Sequence, residues 1–198
     1  MKIIKIKQKQ RDIIIGKILG DGHLETMTKG KTYRLKIEHS INQKEYVDWV
    51  YKNLQSIASK HPQERVIQLN DKQYKKYWFN TINTPSLRFY AQQFYHGRKK
   101  IVPKMIKRWL NPLTLAVWFM DDGSIKSKFH KAKIINTQSF AITDLKLLQS
   151  ALLERYGIET KIRNQKEGQQ IYLLSKTIDK FESIIRPYIV ESMSYKLG

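Results

Sequence analysis

Two short apolar runs in the chain each end in an acidic residue followed by glycine. The first is DIIIGKILGDG at residues 12–22, and the second is NPLTLAVWFMDDG at residues 111–123. Their length and apolar content predict two buried helices that carry Asp21 and Asp122 at their C-terminal ends. A carboxylate at that end opposes the helix dipole by about 0.3 to 1 kcal/mol. The same unfavourable placement made twice indicates function.

Residues with known capping preferences mark the ends of these predicted helices. Asn111 suits the N-cap, Pro112 the first helical position and Gly123 the left-handed residue after the last turn. We expect Asp12 to cap the first helix in the same way. One Asp-Gly pair alone is more often a turn or a helix stop than a catalytic site. Recurrence after 101 residues (122 minus 21), about half the chain, points instead to an internal repeat.

The segments that follow the two runs have the same order of polar and apolar patterns. Strict alternation predicts strands, and apolar positions three and four apart predict helices. In the first half the prediction is a hairpin at 23–40, a helix at 44–60, strands at about 66–69 and 73–79, and a helix at 86–95. In the second half it is a hairpin at 124–140, a helix at 143–156 ended by Gly157, strands at 158–163 and 170–174, and a helix at 178–188.

The repeat predicts an α+β fold of two related halves, residues 1–98 and 99–198, with a connector at about 96–111. An offset of 100 residues aligns the core-facing Leu35 and Ile37 with Ile135 and Thr137.

Each half also ends on a lysine beyond its closing helix. Lys100 follows Asp21 by 79 residues, and Lys196 follows Asp122 by 74 residues. Any one lysine in so basic a chain is usually a solvated surface group. The matched position in both halves makes these two candidates for a shared role.

Charge and composition narrow the class of protein. Lys and Arg number 37 against 17 Asp and Glu, a formal net charge of +20, which indicates a nucleic acid or an anionic membrane surface as partner. No apolar run reaches the roughly 18 residues that span a bilayer, so we expect no membrane association. With no cysteine in the sequence, disulfides, zinc ribbons and thiol catalysis are excluded. The five histidines show no close ligand spacing, and we expect His39 to be an exposed polar residue.

The first residues, MKIIKIKQKQR, are basic without the apolar segment of a secretory signal. The sequence leaves the compartment open between an organelle matrix and a bacterial cytoplasm.

Residues 14–22, IIGKILGDG, and 115–123, LAVWFMDDG, resemble the motif of the LAGLIDADG homing endonucleases, in the form with two motifs in one chain. The resemblance covers nearly the whole chain and is strongest in the second half, at NTQSF (136–140), RPYI (186–189) and MSYKL (193–197). It implies two αββαββα halves related by a pseudo-twofold axis, with the motif helices at the centre and antiparallel sheets forming a saddle over DNA. It also implies an intron-encoded enzyme that acts as a monomer.

The resemblance further implies a metal-dependent double-strand break in a long, imperfectly palindromic DNA site. The metal would be Mg²⁺, with Mn²⁺ as a substitute. The residues placed at the metal are Asp21, Asp122, Gly20 and Asp121, and the catalytic set is Asp21, Asp122, Lys100 and Lys196. The register of the motifs favours Asp122 over Asp121 as the ligand, with Asp121 as a helix-end or supporting residue. The motif glycine is Gly16 in the first copy and Val117 in the second.

Polar residues on the strand face away from the core are the expected DNA contacts. They are Arg34, Lys36, Glu38, Lys75, Asn136, Gln138, Lys161 and Arg163. An RNA maturase or a non-catalytic DNA-binding regulator of the same fold is the alternative, and a ribosomal RNA-binding protein is a more distant one. Intron RNA is therefore a possible second partner. Two acids and two matched lysines favour the enzyme, because a pure binder of a polyanion needs no carboxylates there.

Overall fold

The structure, a computed structural model, describes residues 3–127 and 130–198. Its helices are α1 (Gln8–Leu19), α2 (Lys44–Leu54), α3 (Arg88–Phe94), α4 (Ile106–Trp109), α5 (Pro112–Asp122), α6 (Ile142–Tyr156) and α7 (Ile178–Ile185). The strands of the first half are β1 (His23–Glu25), β2 (Arg34–Ser40), β3 (Gln63–Leu69) and β4 (Lys72–Asn80), followed by the short pair β5 (Tyr95–His96) and β6 (Lys99–Lys100). The strands of the second half are β7 (Gly123–Ser127), β8 (His130–Asn136), β9 (Thr160–Gln165) and β10 (Gly168–Leu173).

Both halves run helix, two strands, helix, two strands, helix, as predicted. The sheet orders are β1-β2-β4-β3 and β7-β8-β10-β9, with antiparallel pairs throughout. Helix α4 lies in the connector between them. Gly157 ends α6 in the left-handed conformation, with φ at 62°, which confirms the predicted helix stop. The matching order of the two sheets gives the molecule its pseudo-twofold arrangement.

The two motif helices form as predicted, but two of their predicted end signals are wrong. Asn111 does cap α5, since its side chain accepts from the amide of Thr114. Helix α1 instead begins at Gln8, so Asp12 lies inside the helix, where it accepts from the Gln8 side chain at 2.7 Å. Gly123 is extended, with φ −75° and ψ 148°, because the chain passes directly into β7 instead of making a left-handed turn.

The predicted hairpin offset of 100 is also wrong. One residue past each motif glycine, His23 pairs with Lys36 and Ser124 pairs with Ile134, an offset of 98 (134 minus 36). Leu35 therefore corresponds to Lys133, a buried lysine that forms an ion pair with Glu182 at 2.9 Å. The second hairpin connection is three residues shorter than the first, and its residues 128–129 lie outside the described part of the chain.

The motif helices lie at the centre of one continuous core. Residues from both helices, both sheets and the outer helices α2, α3, α6 and α7 belong to the same buried apolar cluster. Nearly every residue of α5 from Leu113 to Met120 is buried, so the helix is surrounded on all sides. Within the described residues, no helix is long and apolar enough to cross a membrane.

Candidate active site at the ends of the motif helices

Helices α1 and α5 approach closely because glycine faces them at two points. A Cβ atom on Gly16 would lie 2.7 Å from the Cβ of Val117 and 2.8 Å from the carbonyl oxygen of Thr114. A Cβ on Gly20 would overlap the side chain of Asp121. Val117 and Asp121 therefore fill the space that these two glycines leave.

The two predicted acids lie side by side at the C-terminal ends of these helices. The Asp21 side chain is 49% exposed, and Asp122 is partly buried as the last residue of α5. Burial, and then the charges of Asp121 and Asp21, raise the pKa of Asp122 from its ordinary 3.8 to about 8. Among the described residues, the Asp122 carboxylate has no hydrogen-bond or ion-pair partner. This helix end therefore concentrates negative charge that only a cation or a proton can relieve.

The two matched lysines reach the same two helix ends and make equivalent contacts there. Lys100 donates to the carbonyl oxygen of Gly20 at 2.7 Å, one residue before Asp21. Lys196 donates to the carbonyl oxygen of Asp121 at 2.8 Å, one residue before Asp122. Burial lowers the pKa of both ammonium groups, and the nearby carboxylates partly offset that effect. The structure thus brings all four predicted catalytic residues together, in two equivalent pairs.

The carboxylate of Asp121 is fully engaged by protein groups. Its Oδ1 accepts from Lys17 Nζ at 2.8 Å and from the Tyr46 hydroxyl at 2.8 Å, and its Oδ2 accepts from the backbone amide of Asp21 at 3.0 Å. The side chains of Lys17 and Asp121 are both 0% exposed. Asp121 therefore supports the site through its side chain, and its backbone carbonyl is the atom directed toward the catalytic centre.

His39 completes a buried cluster with these groups. One nitrogen or oxygen atom from each of Asp21, His39 and Asp121 lies within 4.8 Å of the others, a spacing that resembles a metal site. However, His39 Nε2 lies 2.6 Å from Lys17 Nζ, and Nδ1 lies 3.1 Å from Gln43 Oε1. Burial and Lys17 lower the pKa of His39 to about 3, so the ring is neutral. Both ring nitrogens already have protein partners, and we assign the cluster to a hydrogen-bond network.

Sequence reasoning missed Lys17, Tyr46 and His39, and the expectation that His39 is exposed is wrong. A signal for His39 was available, because it continues the alternating buried positions Leu35 and Ile37 of β2. Lys17 was marked only by being a charged residue inside an apolar helix.

The sequence pattern of the LAGLIDADG DNA endonuclease family matches residues 11–181, a span that includes both motif helices and both sheets. This chain belongs to that family.

Relatives across the LAGLIDADG family agree with the assignment. The chain is 30% identical to DNA endonuclease I-ChuI of Chlamydomonas applanata, over 98% of this chain and 97% of that protein. It is 31% identical to the cytochrome b mRNA maturase bI2 of Saccharomyces cerevisiae, over 94% of this chain but 46% of that longer protein. The solved structure of the homing endonuclease I-WcaI bound to its DNA recognition sequence has the same fold, with a TM-score of 0.93 at 22% identity, covering 98% of this chain and 88% of that one.

In the first half of this LAGLIDADG fold, the predicted DNA contacts lie on the exposed face of β2. Arg34, Lys36 and Glu38 alternate with buried residues along the strand. Arg34 pairs with Glu25 at 2.8 Å, and Glu38 pairs with Arg65. These ion pairs connect neighbouring charged side chains on this face.

In the second half, three polar residues form a row across the sheet. Asn136 pairs in register with Gln170 on β10, and Gln170 pairs with Arg163 on β9. Asn136 Oδ1 accepts from Gln170 Nε2 at 2.7 Å, and the Gln138 amide lies beside it at 3.4 Å. Gln170 was not among the predicted residues, although its position in the row is equivalent to theirs.

The two remaining predicted DNA contacts, Lys161 and Lys75, lie on different sheets. Lys161 pairs with Tyr172 in register on the same face as the row containing Arg163. Lys75 lies on the other face of β4 from Trp78, which pairs with Glu38. Lys72 and Lys76 are the β4 lysines that share a face with Trp78, and Lys76 pairs with Ser40.

A cleft of about 390 Å³ connects the helix ends to the exposed face of the first sheet. Its lining consists of Asp21, His23, Lys36, Glu38, His39, Ser40, Gln43 and Lys76. The acid and the predicted DNA contacts therefore open onto one continuous polar surface.

Proposed function

We propose that this LAGLIDADG endonuclease makes a double-strand break at one long DNA site, with one catalytic centre for each strand. The observation that carries the proposal is the matched pair of contacts at the motif-helix ends. Each end has an acid, Asp21 or Asp122, preceded by a carbonyl oxygen that accepts from a lysine, the half-buried Lys100 or the buried Lys196. A binding protein has no need for this arrangement twice at a polyanion surface.

The residues present fit a divalent metal ion. Asp21 and Asp122 offer carboxylates, and Gly20 and Asp121 offer carbonyl oxygens, the hard oxygen donors that Mg²⁺ prefers. The unpaired Asp122 carboxylate, with its raised pKa, is a site where a cation would relieve both burial and repulsion. When bound, the metal supplies activation of water and stabilisation of the leaving oxygen. Mg²⁺ is the ion we propose, with Mn²⁺ as a working substitute.

The chain's own groups act around that ion. Lys100 and Lys196 are held by their carbonyl partners with the ammonium groups beside the acids, where they orient water and neutralise charge that develops on the phosphate. Lowered pKa values bring both lysines closer to the range in which a group exchanges protons with the reacting water.

The two sheets bind the DNA as a saddle, and a single chain is sufficient because it contains both halves. We divide the halves at residues 1–98 and 99–198. The exposed strand residues read base edges, and the net charge of +20 supplies a salt-dependent contribution from phosphate contacts.

Cleavage of a randomised DNA library tests this proposal. We expect Mg²⁺ and Mn²⁺ to yield double-strand breaks at a single long, imperfectly palindromic site, and EDTA to abolish them. Sequencing of both ends gives the site and the stagger. Cleavage in EDTA, or cutting spread over unrelated sequences, would contradict the proposal.

Assistance to splicing of an intron RNA is a second candidate function. It is favoured by the 31% identity to the maturase bI2 over 94% of this chain. Purified protein added to the precursor RNA of its host intron should raise the splicing rate if this function is present. Asp21→Asn should leave that effect intact, because RNA binding does not use the acid.

A further inference from the structure

The two helix ends are equivalent in their acids and lysines, and three of the matched positions at which they differ lie close together. Lys17 in the first motif corresponds to Trp118 in the second, and Gly20 corresponds to Asp121. On the strands, the 98-residue offset places His39 opposite Thr137. All three differences meet at one point, because Lys17 contacts both Asp121 and His39.

Lys17, His39 and Asp121 belong to a ring of hydrogen bonds that the backbone between Tyr195 and Lys196 closes. From the Asp121 carboxylate it passes to Lys17 at 2.8 Å, to His39 at 2.6 Å, to Gln43 at 3.1 Å, and to the Tyr195 hydroxyl at 3.2 Å. Tyr195 precedes Lys196 in the chain, and Lys196 returns to the carbonyl oxygen of Asp121 at 2.8 Å. The ring therefore joins a strand of the first half to the segment that carries the lysine of the second.

The part of the ring formed by Asp121, Lys17 and His39 lies in the interior of the protein, whereas Tyr195 is 58% exposed. Lys17 and Asp121 are fully buried, and Tyr46 adds a third hydrogen bond to the same carboxylate. A buried ion pair is seldom more stable than apolar residues of the same volume. Space for Asp121 exists because Gly20 has no side chain there. If Lys17 served stability alone, an apolar side chain could fill its place, as Trp118 does at the matching position of the second motif.

We propose that Lys17, Tyr46 and His39 are positioning residues that keep the Asp121 carboxylate off the metal and hold the Lys196 side of the active site in place. The proposal rests on the proposed nuclease function. Lys100 stands outside the ring, on the β5–β6 hairpin, and contacts Gly20 directly. Asp121 Oδ2 also accepts from the Asp21 amide, and His39 Nδ1 lies 3.6 Å from Asp21 Oδ2, so the ring contacts the first acid as well. Because only the Lys196 segment is covalently part of the ring, loss of the Tyr46 bond to Asp121 Oδ1 should slow the Lys196-dependent strand more than the other.

The test measures cleavage of each strand separately, on the target recovered from the library. Lys196→Met and Lys100→Met first identify which strand depends on which lysine. Tyr46→Phe should then slow the Lys196-dependent strand at least fivefold and leave the other strand within twofold. Tyr77→Phe is the matched control, because Tyr77 donates to Asp48 at 2.9 Å in the same half, away from the acids. It should leave both strands within twofold of wild type.

A double variant protects the test against simple misfolding. Lys17→Met alone leaves a buried unpaired carboxylate, whereas Lys17→Met with Asp121→Asn removes both charges together. The pair should reproduce the strand bias of Tyr46→Phe while the thermal midpoint and DNA binding in Ca²⁺ stay near wild type. Equal slowing of both strands, or no slowing of either, would overturn the proposal.

A second readout needs neither metal nor DNA. With Lys17 donating to Nε2, His39 carries its proton on Nδ1 and donates to Gln43. Nitrogen-15 histidine spectra at neutral pH should show this tautomer in wild type and its loss in the double variant. The Nε2-protonated tautomer in wild type would refute the ring itself. Failure of wild type to cut DNA, with the expected tautomer present, would instead reject the nuclease function and leave the ring as a structural link between the halves.

Discussion

The end of the first motif helix and the end of the second hold the same reactive groups in different surroundings. Each has an acid after a carbonyl oxygen that accepts from a lysine ammonium group. The first end has Gly20 before its acid, and the second has Asp121 with a full set of hydrogen bonds. The comparison shows that the acids and their lysine contacts match while the side chains around them differ. A Cβ on Gly20 would overlap Asp121, so only one of the two ends can carry a side chain at this point.

The strongest test of the equivalence replaces the acids. Asp21→Asn and Asp122→Asn should each reduce double-strand cleavage by about 10³-fold or more, roughly 4 kcal/mol, because each removes a charged metal ligand. Gel-shift affinity should change by less than about threefold, since the strand contacts remain. Plasmid linearisation at the wild-type rate by either variant would remove that acid from the mechanism.

The next largest effect should come from crowding between helices α1 and α5, measured as a loss of stability. Gly16→Ala places a Cβ against Val117 and the Thr114 carbonyl, and should lower the free energy of unfolding by about 3 kcal/mol. Gly97→Ala is the control, because Gly97 has φ of 59° with nothing within 4 Å. Its cost should be about 1 kcal/mol, from backbone strain alone. Equal costs in chemical denaturation would mean that the helix contact is looser than the distances indicate.

The lysines test whether the two ends serve separate strands. Lys100→Met and Lys196→Met should each slow one strand by about 30-fold, roughly 2 kcal/mol, and the other strand much less. Nicked intermediate should therefore accumulate, with the intact strand opposite in the two variants. Labelled-strand kinetics would detect it. Equal slowing of both strands would mean that the two ends act as one centre.

The pH dependence of stability should be the smallest effect, measured without metal or DNA. Between pH 3.8 and about 8, the Asp122 carboxyl binds more protons in the folded protein than in the unfolded chain. Its contribution to the free energy of unfolding therefore falls as pH rises. His39, with its pKa lowered from 6.5 to about 3, contributes with the opposite sign below pH 6.5. Between pH 6.5 and 8, only Asp122 of these two groups changes its contribution. The free energy of unfolding of wild type should therefore fall by about 1 to 2 kcal/mol over this range.

Asp122→Asn separates this contribution from the rest of the protein. Its free energy of unfolding should vary less over pH 6.5 to 8 than that of wild type. The same slope in both proteins, from denaturation curves at each pH, would assign the dependence to another group.

Much of the fold followed from local pattern, because its signals are short-range. The motif helices, the two hairpins and the Gly157 stop were predicted from spacing and residue type. The start of α1 was not, because polar residues Gln8–Arg11 extend the helix before its apolar run begins. The hairpin offset was missed because the predicted value of 100 and the observed value of 98 differ by two residues, which leaves the two-residue alternation of the strands unchanged.

The candidate site, like the fold, was predicted from the sequence only in part. The acids and matched lysines carried a repeat signal, and the structure brings them together. Lys17, Tyr46 and His39 come from three different elements, and each alone is an ordinary helix or strand residue. Their role depends on a contact between halves, which no spacing within one half reveals. The metal and the individual base contacts stay predictions.

Gly20 and Asp121 share one volume, which has a consequence for the ancestry of the chain. A symmetric dimer of two second halves would direct two Asp121 side chains into the same space, and a dimer of two first halves would leave it empty. At this point the surface of each half is complementary to the other half and not to itself. Two copies of either half should therefore pack less well at this point than one copy of each.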